Sequence, residues 1–124
     1  MIYYKPITDK QELRILFPQK LINDSDLCGA YIGFDDDGNK VGTCFINTDG
    51  YKCYLSDISC DLSDKLLVEG FVRAGLNFAA NRNAYMAYCG QENISDVLLM
   101  LGFEKNGDLY GGDIPTLLKG SCCK

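Results

Sequence analysis

Residues 52–89 read KCYLSDISCDLSDKLLVEGFVRAGLNFAANRNAYMAYC and predict a strand, a long helix and a second strand in succession. Leu67, Phe71 and Phe78 recur at helical spacing, and other apolar residues lie beside them, so most of the helix surface should be buried. Residues 84–89 form a short apolar run typical of a central strand. A helical connection of this length places the two strands parallel in one sheet.

The strand at residues 52–60 closes a predicted antiparallel meander of three strands. Residues 28–34 and 41–46 alternate with a period of two. Residues 35–39 and 48–50, which separate the three runs, each contain aspartate and glycine, and such turns are a strong hairpin signal.

A strand at residues 2–7 and a helix are predicted before the meander. Thr8 and Gln11 match a capping box that starts this helix, and Pro18 ends it because proline lacks a backbone donor. Residues 19–27 are either a second short helical piece or a loop.

A third helix is predicted to begin at Asn93 and to stop at Gly102, since glycine tolerates the left-handed conformation. One or two strands around residues 109–110 and a short apolar end follow. The order is β-α-βββ-α-β-α-β in a single domain over residues 1–124. This order indicates an α/β (mixed α+β sheet) fold with three layers.

Composition excludes several classes of function. The 124 residues carry a net charge of −5, which argues against a nucleic-acid partner, because phosphate binding needs a basic face. The absence of histidine removes Ser-His-Asp and Cys-His catalysis and histidine-ligated zinc. The longest apolar stretch, residues 97–101, is too short to span a membrane, so we expect a cytoplasmic protein.

Seven cysteines fit the cytoplasm as reduced thiols. Their number is odd and no Cys-x-x-Cys pair occurs, which predicts neither a disulfide framework nor a metal site. Cys122 and Cys123 could chelate a metal or cross-link chains, but a frayed tail is the simpler interpretation. Most of the others should act as small hydrophobic residues.

Four features together resemble the GNAT N-acetyltransferase superfamily. They are the element order, the long helix from Leu66-Leu67 through Arg73-Ala74, the strand at residues 84–89 and the helix end Leu101-Gly102-Phe103. The resemblance implies a sheet that splays between its fourth and fifth strands. It also implies acetyl-CoA or another acyl-CoA in that notch, and a small-molecule or peptide amine as acceptor.

Two family features are missing from the sequence. Members usually carry an Arg/Gln-x-x-Gly-x-Gly/Ala loop whose amides bind pyrophosphate, whereas residues 60–66 read CDLSDKL, without glycine or arginine. Leu98 occupies the position of the tyrosine that often protonates the leaving thiolate. By position, the residues that would meet the cofactor are Ile58, Cys60, Asp61, Leu62, Ser63, Asp64, Lys65, Tyr88 and Cys89.

The resemblance also implies a general base on the fourth strand, where Asp57 is the only carboxylate. Alternation places Asp57 and Ser59, a second candidate catalytic residue, on one face with Cys53 and Leu55, and Tyr54, Ser56, Ile58 and Cys60 on the other. An exposed strand aspartate, or one that caps a turn, is the alternative. Tyr85 and Tyr88 are expected near the notch, as pocket lining or as packing residues.

Three functions remain open from the sequence. The first is an acyl-CoA-dependent N-acyltransferase with an atypical phosphate loop. The second is a non-catalytic ligand-binding or dimerisation module that uses the notch or a sheet edge, with a homodimer as one form. The third is a redox sensor that uses Cys60 or Cys89.

Overall fold

The computed structural model describes residues 1–120, in which seven strands and four helices form one mixed sheet with helices on its faces. The strands are β1 Tyr3–Ile7, β2 Leu27–Phe34, β3 Lys40–Asp49, β4 Lys52–Cys60, β5 Met86–Cys89, β6 Glu104–Asn106 and β7 Leu109–Asp113. The helices are α1 Lys10–Leu16, α2 Lys65–Ala80, α3 Ser95–Leu101 and α4 Ile114–Gly120, and a 3-10 turn covers Glu92–Ile94.

The sheet has the order β1-β2-β3-β4-β5-β7-β6. Only β4 and β5 pair in parallel, and every other neighbouring pair is antiparallel. The predicted meander, the helical crossover and the fold class are therefore confirmed. Residues 104–120 form a hairpin followed by α4, which adds one strand and one helix to the predicted order.

The two faces of the sheet carry separate cores. On one face, α1 and the segment after it pack over the β1–β3 half around Leu13, Phe17 and Phe45. On the other face, α2, α3 and α4 bury a larger cluster that includes Phe71 and Leu98. The described residues contain five cysteines, all with free thiols: Cys28, Cys44, Cys53, Cys60 and Cys89. Three of them, Cys44, Cys53 and Cys89, lie inside this second cluster.

Two predicted caps are wrong in detail. Asp9, and not Thr8, caps α1, because its Oδ2 accepts the Glu12 N–H at 3.1 Å. The third helix lacks a cap from Asn93, since a 3-10 turn precedes it and its N-cap residue, Ile94, makes no side-chain capping bond. Its predicted end is confirmed, with Gly102 left-handed at a φ of 111°.

A β-bulge in β4 overturns the predicted alternation. The register passes from Phe45 opposite Ser56 to Thr43 opposite Ser59, so two residues of β4 face one of β3. The extra residue is Asp57, with a φ of 53°. Ile58 is therefore buried on the α2 face with Cys53 and Leu55, and Cys60 packs against that same core.

No helix within residues 1–120 is both long enough and apolar enough to cross a bilayer. The last two cysteines, Cys122 and Cys123, lie outside the described residues.

Candidate functional site

A notch opens between β4 and β5, where the predicted splay lies. The parallel pairing ends at Leu55 and Cys89, and β4 then continues to Cys60 without β5 as its partner. The bulge at Asp57 begins two residues after the last pair, and a bulge bends its strand. Past Leu55, the edge of β4 that pairs with β5 has no neighbouring strand among the described residues, while the other edge still pairs with β3.

The side chain of Gln91 bridges this gap. Its Oε1 accepts the backbone N–H of Ile58 at 2.9 Å, and its Nε2 donates to the Ile58 carbonyl at 2.8 Å. Nε2 also donates to Asn93 Oδ1 at 2.9 Å, which fixes the orientation of the amide. The sequence reasoning missed Gln91, and its only signal was a polar residue just after the central strand. One primary amide thus satisfies the backbone N–H and the carbonyl of Ile58, a residue of β4 that β5 does not pair.

Asp57 lies on the α1 face, opposite to the face predicted. Its Oδ2 is 2.8 Å from Lys20 Nζ and accepts the Ser56 hydroxyl at 2.9 Å. Burial would raise the pKa of this carboxyl, but the hydrogen bonds from Lys20 and Ser56 outweigh it and hold the pKa below its usual value. Because a general base at neutral pH benefits from a raised pKa, this environment favours a structural ion pair. Ser59 is exposed.

The loop before α2 uses its own carboxylates to satisfy its amides. Asp61 Oδ1 accepts the Ser63 N–H at 3.0 Å and the Ser63 hydroxyl at 2.6 Å, which lowers the pKa of Asp61. Asp64 caps α2 by accepting the Leu67 N–H at 3.1 Å. The side chains of Lys65 and Asp96 form an ion pair, and Leu62 packs against the core. Donors that would attract an anion at a helix start are here bound to resident anions.

The remaining predicted residues are packing residues. Burial raises the pKa of the Cys60 and Cys89 thiols, and Asp61 and Asp64 raise that of Cys60 further. Both changes suppress the reactive thiolate. Leu98 is fully buried in the α2-face core.

Of the two predicted tyrosines, Tyr88 lies in β5 and Tyr85 lies just before it. Tyr88 is half-buried and stacks on Tyr54, with ring centroids 5.6 Å apart. Tyr85 precedes β5, at the end of the strand away from the notch, so its predicted position beside the notch is wrong.

A groove of about 460 Å³ runs along the α1 face next to the bulge. The segment after α1 forms one wall, and β2, β3 and β4 form the floor. Lys20 and Asp26 provide charges of both signs, Phe45 provides an apolar surface, and Asn47 and Ser56 provide hydrogen-bonding groups.

No family sequence model and no curated protein sequence matches the chain. Solved structures do. A probable acetyltransferase from Staphylococcus epidermidis is 14% identical with a TM-score of 0.64, and the match covers 91% of this chain and 99% of that one. The Escherichia coli GNAT family N-acetyltransferase YhbS, solved in complex with CoA, is 13% identical with a TM-score of 0.62, over 94% and 83% of the two chains.

A third similar structure is a spermidine N-acetyltransferase SpeG chimera from Vibrio cholerae and hSSAT. It is 11% identical with a TM-score of 0.67, and the match covers 95% of this chain and 98% of that one. Identities this low establish a common fold, and function belongs to the residues of the site.

Proposed function

We propose that this chain, which has the fold of the GNAT N-acetyltransferases, is a binding module that does not transfer acyl groups from CoA. The observation that carries the proposal is the pair of hydrogen bonds between the Gln91 amide and Ile58. In the family, acyl-CoA lies in the notch, and the backbone of the fourth strand polarises the thioester. In this chain the backbone N–H and the carbonyl of Ile58, the first residue after the bulge, are both already bound to Gln91.

A ligand lying along β4 would have to displace Gln91. The two bonds to Ile58 would then be exchanged for bonds to the ligand, and each is worth about 1 kcal/mol net. The ligand gains no new backbone partner at Ile58 until Gln91 has left. Binding in the notch is therefore weakened at the position where the thioester would be polarised.

The loop before α2 disfavours binding of the diphosphate group of CoA. Asp61 and Asp64 hold the amides of Ser63 and Leu67 through bonds of 3.0 and 3.1 Å. A diphosphate at this position would face two carboxylates, and like charges about 4 Å apart repel by roughly 1–4 kcal/mol near a protein surface. Both ends of the family's cofactor site are thus unfavourable for CoA.

The catalytic groups of the family also lack counterparts. Leu98 has no proton to donate, and the Asp57 carboxylate is paired with Lys20. A concave surface that stays open is the groove beside the bulge, whose volume of about 460 Å³ suits a small ligand of mixed polarity. A cytoplasmic location suits the five free thiols within residues 1–120.

Calorimetric titration with CoA, acetyl-CoA and desulfo-CoA tests the proposal. We expect no saturable heat with the wild-type chain and no rise in melting temperature, whereas a ligand at a hundred times its Kd adds about 2.7 kcal/mol to the free energy of unfolding. The Gln91→Ala variant should gain weak affinity for desulfo-CoA, and the exposed Gln11→Ala variant should not. Tight binding of CoA to the wild-type chain would overturn the proposal.

An acyl-CoA-dependent N-acyltransferase is the second candidate. It is favoured by the end of the β4–β5 pairing at Leu55 and Cys89, which leaves the notch, and by the CoA complex of the similar YhbS structure. In this mechanism Asp57 or a water accepts the amine proton, and Ser59 lines the notch. Release of free CoA from acetyl-CoA in the presence of small amines and peptides, abolished in Asp57→Asn, would establish it.

A binding module could also form a homodimer through a sheet edge, but both edges of this sheet carry features that oppose pairing. Lys5 and Pro6 lie in the edge strand β1, and the opposite edge strand, β6, has three residues, all exposed. Charged residues, proline and short length are the features that oppose edge pairing. Sedimentation of the chain at micromolar concentration should accordingly give a monomer.

A further inference from the structure

One row of side chains crosses the sheet in the floor of the α1-face groove. In the strand register, Cys28 of β2 is opposite Asn47 of β3, and Asn47 is opposite Tyr54 of β4. Residues opposite each other in antiparallel strands have Cβ atoms about 4.5–5.5 Å apart, so the three side chains are neighbours. All three line the groove of about 460 Å³.

The charged groups of the groove are already engaged. Lys20 Nζ is 2.8 Å from the Asp57 carboxylate, which also accepts the Ser56 hydroxyl at 2.9 Å. Asp26 Oδ2 accepts the backbone N–H of Asn23 at 2.8 Å. Lys20 and Asp26 are the charged residues of the lining, and their charges cancel. The lining therefore offers no unpaired charge that would select an ion.

The Asn47 side chain is an open hydrogen-bonding group in this floor. It is half-buried, and within residues 1–120 its amide forms no hydrogen bond with another protein group. A primary amide carries N–H donors and a carbonyl acceptor side by side. The Gln91 amide uses both atoms at once on Ile58. Asn47 offers the same pair of atoms to a ligand in the groove.

Aromatic and apolar surfaces flank Asn47. Tyr88 stacks on Tyr54 from the β5 side, which leaves the β3 side of the Tyr54 ring to line the groove. The segment after α1 contributes Leu21, which is 87% exposed, and the buried Ile22 to the lining. Flat rings pack well against aromatic and aliphatic surfaces of this kind.

We infer that the groove binds an uncharged planar ring that contains a cyclic amide, with the ring against Tyr54 and the amide paired with Asn47. The ring N–H would donate to Asn47 Oδ1, and the ring carbonyl would accept from Nδ2. The net charge of −5 and the pairing of Lys20 disfavour an anionic form of the same ring, such as one that carries a phosphate. The inference takes from the proposed function that the groove, and not the notch, is the binding site.

Three probes of similar shape test the amide pairing. 2-Quinolinone carries the cyclic amide, its N-methyl derivative lacks the N–H, and 2-quinolinone-4-carboxylate adds a negative charge. Each is titrated into the isotope-labelled full chain, and the amide chemical shifts are followed. 2-Quinolinone should saturate and shift the Asn47 side-chain amide, and the N-methyl derivative should bind about tenfold more weakly, because the paired hydrogen bonds are lost. The carboxylate should bind more weakly than 2-quinolinone.

Three results would overturn the inference. They are the absence of binding by 2-quinolinone, equal affinity for the N-methyl derivative, and shifts that lie outside the groove. An affinity for the carboxylate equal to that for 2-quinolinone would contradict the preference for an uncharged ring.

Variants locate the site. Asn47→Ala should weaken 2-quinolinone about tenfold and leave the affinity for the N-methyl derivative unchanged, because only the first probe pairs with the side-chain amide. Tyr54→Leu removes the ring and should weaken both probes. The control is Asn77→Ala, an exposed asparagine on α2 that should leave both affinities unchanged. Equal weakening of both probes by Asn47→Ala would reject the pairing.

The CoA titrations separate this inference from the proposed function. Saturable binding of 2-quinolinone in the groove together with tight binding of CoA would overturn the proposed function and leave the cyclic-amide site standing. No binding of either ligand would reject the cyclic-amide site alone.

Discussion

Lys20 Nζ and Asp57 Oδ2 form an ion pair 2.8 Å long that ties the segment after α1 to the bulge of β4. Asp57 has a φ of 53°, a left-handed conformation that aspartate tolerates better than most residues do. The pair is half-buried, with 29% and 32% of the two side chains exposed. It therefore joins one wall of the α1-face groove to the strand that lines the notch.

Two substitutions of Asp57 should separate the contribution of the ion pair to the free energy of unfolding from the cost of the left-handed backbone. Asp57→Asn keeps a residue that tolerates positive φ and removes the charge, so we expect a loss of about 0.5–1 kcal/mol in the free energy of unfolding. Asp57→Ala loses the pair and also adds about 1 kcal/mol of left-handed strain. Urea unfolding at pH 7 measures both, and equal losses would show that the conformation costs nothing.

The same ion pair should make stability depend on acid. The pKa of Asp57 lies below its ordinary value of 3.8, so the native state binds this proton less readily than the unfolded chain does. The stabilisation is complete above that ordinary value and is lost as the pH falls through the native pKa. The difference in unfolding free energy between the wild type and Asp57→Asn should shrink below pH 3.8, and a difference independent of pH would contradict the assignment.

The sequence predicted the fold better than the site, for a physical reason. The turns could be predicted because their conformation depends on local residues. Gly38 and Gly50 lie in the two predicted turns and are left-handed, with φ values of 82° and 63°. The bulge at Asp57 is not visible in a pattern of period two, since any single extra residue inverts the faces of all that follow it. The bond from Gln91 to Ile58 spans 33 positions and depends on the final geometry of two strands.

Gly70 in α2 leaves the space that the Tyr4 side chain occupies. A Cβ atom there would overlap the Tyr4 hydroxyl, so Gly70→Ala should lower the free energy of unfolding by about 1–3 kcal/mol. In an exposed helix the same change would add about 1 kcal/mol. In a Tyr4→Leu background, which removes the hydroxyl, Gly70→Ala should cost clearly less. A cycle of the four proteins in urea measures this coupling, and strict additivity would count against the contact.

Tyr4 should make the chain sensitive to alkali. Burial, with further contributions from Cys60 and Asp64, raises the pKa of Tyr4 from 10.0 to about 12. Because the native pKa is above the unfolded one, the stabilisation is complete below pH 10 and is lost as the pH rises towards 12. Tyr4→Phe keeps the ring against Phe71 and should flatten the fall in unfolding free energy above pH 10. The exposed Tyr3→Phe variant is the control, and an identical fall in Tyr4→Phe would contradict the expectation.

Under the proposed function, Leu98 stands where a tyrosine often acts as the acid in GNAT enzymes, and Leu98→Tyr tests whether restoring that phenol alone produces acyl transfer. The side chain is fully buried, and the larger ring would overpack the core at a cost of about 1–3 kcal/mol while its hydroxyl entered an apolar cluster. We expect a lower melting temperature and no release of CoA from acetyl-CoA. Leu98→Met, which conserves volume, should cost less than about 1.5 kcal/mol. A Leu98→Tyr variant as stable as the wild type and active with an amine would show that the notch admits acyl-CoA.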